Sequence, residues 1–168
     1  MDSIPTTDQI LKFAPDPVPH LRGLALSTAT DFGVRLRAIR ALPQFCSAQV
    51  PHCEDDSDGA MSPVRAAVRD VILSVGVAER DGRSMLRLRA GIEALGATKS
   101  GEQSDVDMLV RFLDHPSRDI RYATARALRE LCIQTAITPL RNRYDQETVD
   151  QVRLAISAAL GDLAQCSP

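Results

Sequence analysis

Cys46, His52 and Cys53 fall in one short run, with the acidic stretch Glu54 to Asp58 directly behind them. These are the side-chain types that hold zinc. A zinc site, however, draws four ligands, usually as closely spaced pairs. A Cys-x6-Cys spacing with one adjacent histidine does not supply them, so no metal is expected. His20, His52 and His115 lie in separate segments. No Ser-His-Asp set, glycine-rich phosphate loop or paired-carboxylate motif accompanies any of them. No catalytic residue and no cofactor is therefore assigned. Cys46, Cys53, Cys132 and Cys166 form no CxxC pair and are expected as reduced thiols, Cys132 being buried and inert on a core-facing helix.

The basic residues offer the other chemistry. Only Lys12 and Lys99 are lysines; every other basic residue is arginine. Arginine presents a rigid fork to carboxylates and phosphates, although a GC-rich gene gives the same bias. Arg37, Arg40, Arg89, Tyr122, Arg126 and Arg129 are the candidate partner-binding residues, standing off the apolar stripes of their helices. A shallow groove lined by them suits an acidic peptide, a phosphate or a nucleic-acid backbone. The plainer reading is a solvated helix face. Arg35, Arg121 and Arg153 recur at one position and read as structural, each pairing with a loop carboxylate such as Asp31, Asp119 or Asp150.

The elements that position these residues are written as a repeat. Val106 to Leu163 contains one unit twice: Ile120-Arg121 falls on Val152-Arg153, Thr124 on Ile156, and Ala127-Leu128 on Ala159-Leu160. A period of about 32 residues marks a stacked array of supersecondary units. Val34-Arg35 with Ala41-Leu42 gives a third copy, and Ala94-Leu95 a degenerate fourth. Each unit reads as two antiparallel helices, and a lone hairpin cannot bury its apolar faces. Stacking four of them makes one core.

Taken in order, Thr7 to Phe13 is a short helix capped by Thr6 or Thr7 and stopped by Pro15, Pro17 and Pro19. A helix over about 18–27 follows. The turn Thr28 to Asp31 supplies the cap of a second helix whose apolar face is Val34, Ala38, Ala41 and Leu42. Residues 47–60 read as a mobile acidic surface loop. Ser62-Pro63 starts a helix carrying Val64, Ala67, Val68, Val71, Ile72 and Val75 as one stripe. A helix over about 83–97 and a polar linker precede the two clear copies, where Ser104 or Asp105 is the expected cap. The last residues, after Leu163, are expected to fray. The domain reading is an N-terminal segment over 1–17 and a repeat domain over 18–165, with units at about 18–46, 61–97, 104–132 and 135–165.

Composition agrees with that architecture. The chain is 44% hydrophobic with 4% aromatic residues and no Trp, so its core is Leu, Ala, Ile and Val, suited to closely packed helices. A net charge of −2 argues for neither nucleic acid nor an anionic membrane. No basic start leads into a long apolar run, and no stretch nears the roughly 20 apolar residues that span a bilayer. A soluble, cytoplasmic protein is expected.

Asp31, Val34, Arg35, Ala38, Ala41 and Leu42 follow the pattern D-x-x-V-R-x-x-A-x-x-A-L, and the copies at Ile120 and Val152 repeat its core. This resembles the second helix of HEAT repeats, most closely the short bacterial type of phycobilisome-lyase-like proteins. Pro139 resembles that family's frequent first-helix proline. The resemblance implies an all-α, right-handed solenoid of about four antiparallel hairpins, with second helices lining a concave surface. It also implies that Asp31, Arg35, Arg121 and Arg153 brace adjacent repeats. The function expected is a non-enzymatic scaffold that binds a protein partner on the concave face. A bilin-lyase-like or other ligand-handling subunit is the alternative, resting on repeat type alone. DNA binding in the manner of HEAT-like alkylpurine glycosylases comes third, disfavoured by the acidic balance and the missing Trp. Partner identity and oligomeric state stay open.

Overall fold

A computed structural model describes residues 4–47, 50–51, 53, 59–76 and 81–166. His52 and Glu54 to Asp58, and with them the acidic cluster of the 47–60 loop, lie outside the described residues. The architecture is all-helical. The described residues form nine α-helices: α1 (Thr7–Phe13), α2 (Pro17–Leu26), α3 (Phe32–Ala41), α4 (Pro63–Leu73), α5 (Gly82–Ala97), α6 (Gln103–Val110), α7 (Arg118–Leu131), α8 (Ile137–Gln146) and α9 (Asp150–Leu163). The only extended pairing among them is a two-residue ladder, Cys46–Ser47 antiparallel to Val50–Pro51.

Local chemistry sets most of these starts. Thr6 closes a capping box on α1, its hydroxyl accepting from Gln9 N while Gln9 Oε1 accepts from Thr6 N at 2.9 Å. Asp31 caps α3, its carboxylate accepting from Gly33 N at 2.9 Å and Val34 N at 3.2 Å. Asp81 does the same for α5 through Arg83 N and Ser84 N. Each such cap satisfies backbone donors that the first turn leaves open, contributing about 1 kcal/mol. Ser62 caps α4 ahead of Pro63, whose missing N–H costs nothing in a first turn. Pro139 falls in the first turn of α8 for the same reason. At α6 the expected cap is replaced: the helix begins at Gln103 after Glu102, and Ser100 Oγ donates to the Asp105 carboxylate at 2.7 Å.

The chain gathers into two compact units, Met1–Thr98 and Lys99–Pro168. In the first, hairpin α2/α3 stacks on hairpin α4/α5, with α2 against α4 and α3 against α5. First helix meets first helix and second meets second. Ile39, Leu42, Phe45, Val64, Val68, Val71, Ile92 and Leu95 form its core. Burying each such side chain stabilises the fold by roughly 1.5–3 kcal/mol. Gly91 gives α5 room against α4: a Cβ there would stand 2.9 Å from Ile72 Cγ1. In the second unit α6/α7 and α8/α9 are the hairpins, and α7 against α9 is the main seam. Leu109, Ile120, Leu128, Leu140, Ile156 and Leu163 fill it.

The cysteines depart from expectation. Cys46 is bonded to Cys53, and Cys132 to Cys166, with Cα atoms 5.0 and 5.5 Å apart. None of the four is a free thiol. Cys46 and Cys53 face each other because the two-residue ladder folds the run back on itself. Cys132 is not an inert helical core residue. It is the left-handed C-cap of α7 (φ 56°), and stacking brings it beside the residues that follow α9. Cys166 is buried and its carbonyl accepts from Gln134 Nε2 at 2.7 Å, so the chain through Cys166 is anchored, not frayed.

Candidate functional site

The predicted residues all fall on second helices. Arg37 and Arg40 are on α3 and Arg89 is on α5, where Arg89 Nε pairs with Glu93 at 2.8 Å. Arg40 is exposed near the end of α3. In the second unit Tyr122, Arg126 and Arg129 stand at i, i+4 and i+7 along α7, one stripe of the helix surface. The Arg126 guanidinium lies 5.9 Å over the Tyr122 ring. That contact keeps a long side chain extended while leaving its outward edge for hydrogen bonds. Arg129 pairs with Asp162 of α9.

Beyond that stripe lies an open cleft of about 630 Å³, lined by Lys99, Arg126, Arg129, Glu130, Cys132 and Asp162. Lys99 is held in the left-handed region (φ 49°), uncommon for a residue with a side chain. Arg129 is offset by Asp162, but Lys99 and Arg126 have no carboxylate partner among the described residues. The cleft thus carries three cations, Lys99, Arg126 and Arg129, against the two carboxylates of Glu130 and Asp162. Sequence reasoning missed Lys99 because it belongs to no helix and no periodic stripe.

The recurring arginines do a different task. Arg121 sits almost wholly buried (9% exposed) against the fully buried carboxylate of Glu147. The pair is bidentate: Nε donates to Glu147 Oε2 at 2.7 Å and Nη2 to Oε1 at 2.9 Å. Arg121 Nη1 also donates to the carbonyls of His115 and Pro116 in its own turn. Arg143 adds a further donor to Glu147 Oε2 at 3.0 Å. Glu147 Oε1 accepts from Thr148 N and Val149 N at the start of α9. Arg153 Nη1 donates to the Glu147 carbonyl at 3.1 Å and lies 4.5 Å over the Tyr144 ring. Arg35 Nε points at the Ala25 carbonyl at 3.4 Å. The acceptors are therefore turn carbonyls and the next hairpin's glutamate, while Asp119 lies beside exposed Arg118 at 3.7 Å. Glu147 was overlooked because its role depends on a contact 26 residues away.

The guanidinium hydrogen bonds, chiefly Arg121's, hold the Glu147 carboxyl at about 2, far below its ordinary 4.5. The same bond raises Arg121 above its usual range. A carboxyl with a depressed folded-state pKa contributes stability that is complete above its unfolded value. The Glu147 contribution, on the order of 3 kcal/mol, should thus be present above pH 4.5 and lost as pH falls toward about 2. Urea midpoints between pH 7 and pH 2 check this: the fall should be smaller in Glu147→Gln by about the Glu147 contribution.

Stacked antiparallel hairpins joined like with like define a helical repeat scaffold. The HEAT repeat model matches residues 77–161, half of the chain, and the protein belongs to the HEAT-repeat family. A search of curated proteins returns no match. No helix among the described residues is long and apolar enough to cross a membrane. The described residues hold no cluster of potential metal ligands, and the Cys46 and Cys53 sulfurs are bonded to each other.

Proposed function

We propose that this HEAT-repeat scaffold is a non-enzymatic adaptor that binds an acidic segment of a protein partner on its second-helix faces. One observation carries the reading: Lys99 and Arg126 line an open cleft and, among the described residues, neither is ion-paired with a carboxylate there. An incoming Asp or Glu would supply that carboxylate, with Tyr122 as an apolar ledge beneath Arg126. Arg129, held by Asp162, fixes the floor. In the first unit, exposed Arg40 adds a cation to the second-helix face that also carries Arg37 and the Glu93-paired Arg89. The two disulfides favour an oxidising compartment as the site of action over the reducing cytoplasm.

Capture of partners from the source extract tests this, comparing the native protein with Arg40→Glu/Arg126→Glu. Both side chains are exposed, so the fold should survive. A specific partner should be recovered about tenfold less by the variant, with native recovery falling as salt rises. Equal recovery by both proteins would contradict the assignment.

A further inference from the structure

We propose that Cys132 is a thiol-exchange site: its sulfur takes up an anionic thiol in place of Cys166, and the cationic cleft beside it selects for the negative charge. The inference shares that cleft with the adaptor reading, but rests on its charge and its cysteine, not on a bound peptide. Of the two bonded cysteines, Cys132 is exposed and lines the cleft of about 630 Å³. Cys166 is buried, with 8% of its surface exposed. Access decides which sulfur of a disulfide an incoming thiolate attacks. Here it is the one at the cleft.

The repeat accounts for the cation beside that sulfur. Lys99, Cys132 and Cys166 follow the second helices α5, α7 and α9, at spacings of 132 − 99 = 33 and 34 residues. Lys99 and Cys132 also share the left-handed backbone, φ 49° and 56°, and both line the cleft. Arg126 and Arg129, from the last two turns of α7, complete it, leaving one positive charge in excess over Glu130 and Asp162. Such surroundings concentrate an anionic thiol and favour its reactive thiolate form. In the exchange, the thiolate sulfur bonds to Cys132 Sγ as the Cys132–Cys166 bond breaks. The electron pair leaves on Cys166 Sγ, which takes a proton from water. One disulfide replaces another, so no further oxidant or reductant enters. Cys166 Sγ already lies 3.5 Å from the Asp162 carbonyl, an acceptor for the new S–H. Gln134 Nε2 still holds the Cys166 carbonyl at 2.7 Å, and Arg129 still holds Asp162, so the surrounding fold outlasts the exchange.

Exposing the full, non-reduced chain to glutathione, 2-mercaptoethanol or cysteamine at equal thiolate concentration tests this. Acid quenching, alkylation of released thiols and peptide mass mapping then locate the adduct. The mixed disulfide should form on Cys132, with Cys166 recovered alkylated. Anionic glutathione should react about fivefold faster than cationic cysteamine at low salt, with the neutral thiol between them, and the gap should close as salt rises. Lys99→Glu/Arg126→Glu, at two exposed positions, should reverse the order with an unchanged helical circular dichroism spectrum. Charge-ordered exchange in a protein that captures no partner would uphold this site and remove only the adaptor reading. A mixed disulfide on Cys166, one rate order shared by the native protein and the variant, or no adduct at all would each overturn the proposal.

Discussion

Glu147→Ala should lower the unfolding free energy by about 3–5 kcal/mol, read as a shifted urea midpoint at pH 7. The substitution strands Arg121, 9% exposed at its side chain, with its guanidinium facing the void left by the carboxylate. It also removes the acceptor of Thr148 N and Val149 N at the start of α9, and one partner of Arg143. Arg121 keeps the His115 and Pro116 carbonyls, which places the expected loss nearer the lower end. The pair itself need not be strongly stabilising, because desolvating both ions offsets much of their attraction. Arg121→Met/Glu147→Leu should therefore recover much of what Glu147→Ala loses. A loss below 1 kcal/mol for Glu147→Ala would show that this network does not brace the last two hairpins.

The second large effect concerns Cys132 and Cys166. Cross-linking residues 34 apart removes roughly 3–4 kcal/mol of chain entropy from the unfolded state. The 7-residue separation of Cys46 and Cys53 gives about 2–3 kcal/mol by the same relation. Cys132→Ser/Cys166→Ser should accordingly destabilise more than Cys46→Ser/Cys53→Ser. Thiol titration of the denatured, unreduced protein should find no free sulfhydryl, and four after reduction. Four thiols before reduction would restore the reduced state that cysteine spacing alone implies.

The contrast between these networks and the helices marks how far the sequence could be read. Helix limits depend on neighbours in the chain, so the caps at Thr6, Asp31 and Ser62 and the apolar stripe from Val64 to Val75 were legible. The helix expected over 18–27 is Pro17–Leu26, and that over 83–97 is Gly82–Ala97. The stripe Tyr122, Arg126 and Arg129 was legible too, since helical spacing alone sets it apart from the buried face. What depends on one hairpin meeting the next was not legible. The Arg121 acceptor was sought at Asp119, two residues away, and lies at Glu147 in the following turn. Cys132 and Cys166 show no short-range motif, yet their separation is close to one repeat period. Stacking makes such residues neighbours.

Titrating an acidic model peptide, Glu and Leu alternating over ten residues, into the uniformly ¹⁵N-labelled protein tests the binding assignment most directly. Amide shifts should concentrate at Lys99 and along Tyr122, Arg126 and Arg129, with weaker changes around Arg37 and Arg40, and should diminish as salt rises. Shifts confined to the first helices α6 and α8, or none at millimolar peptide, would contradict a docking role for the second-helix face.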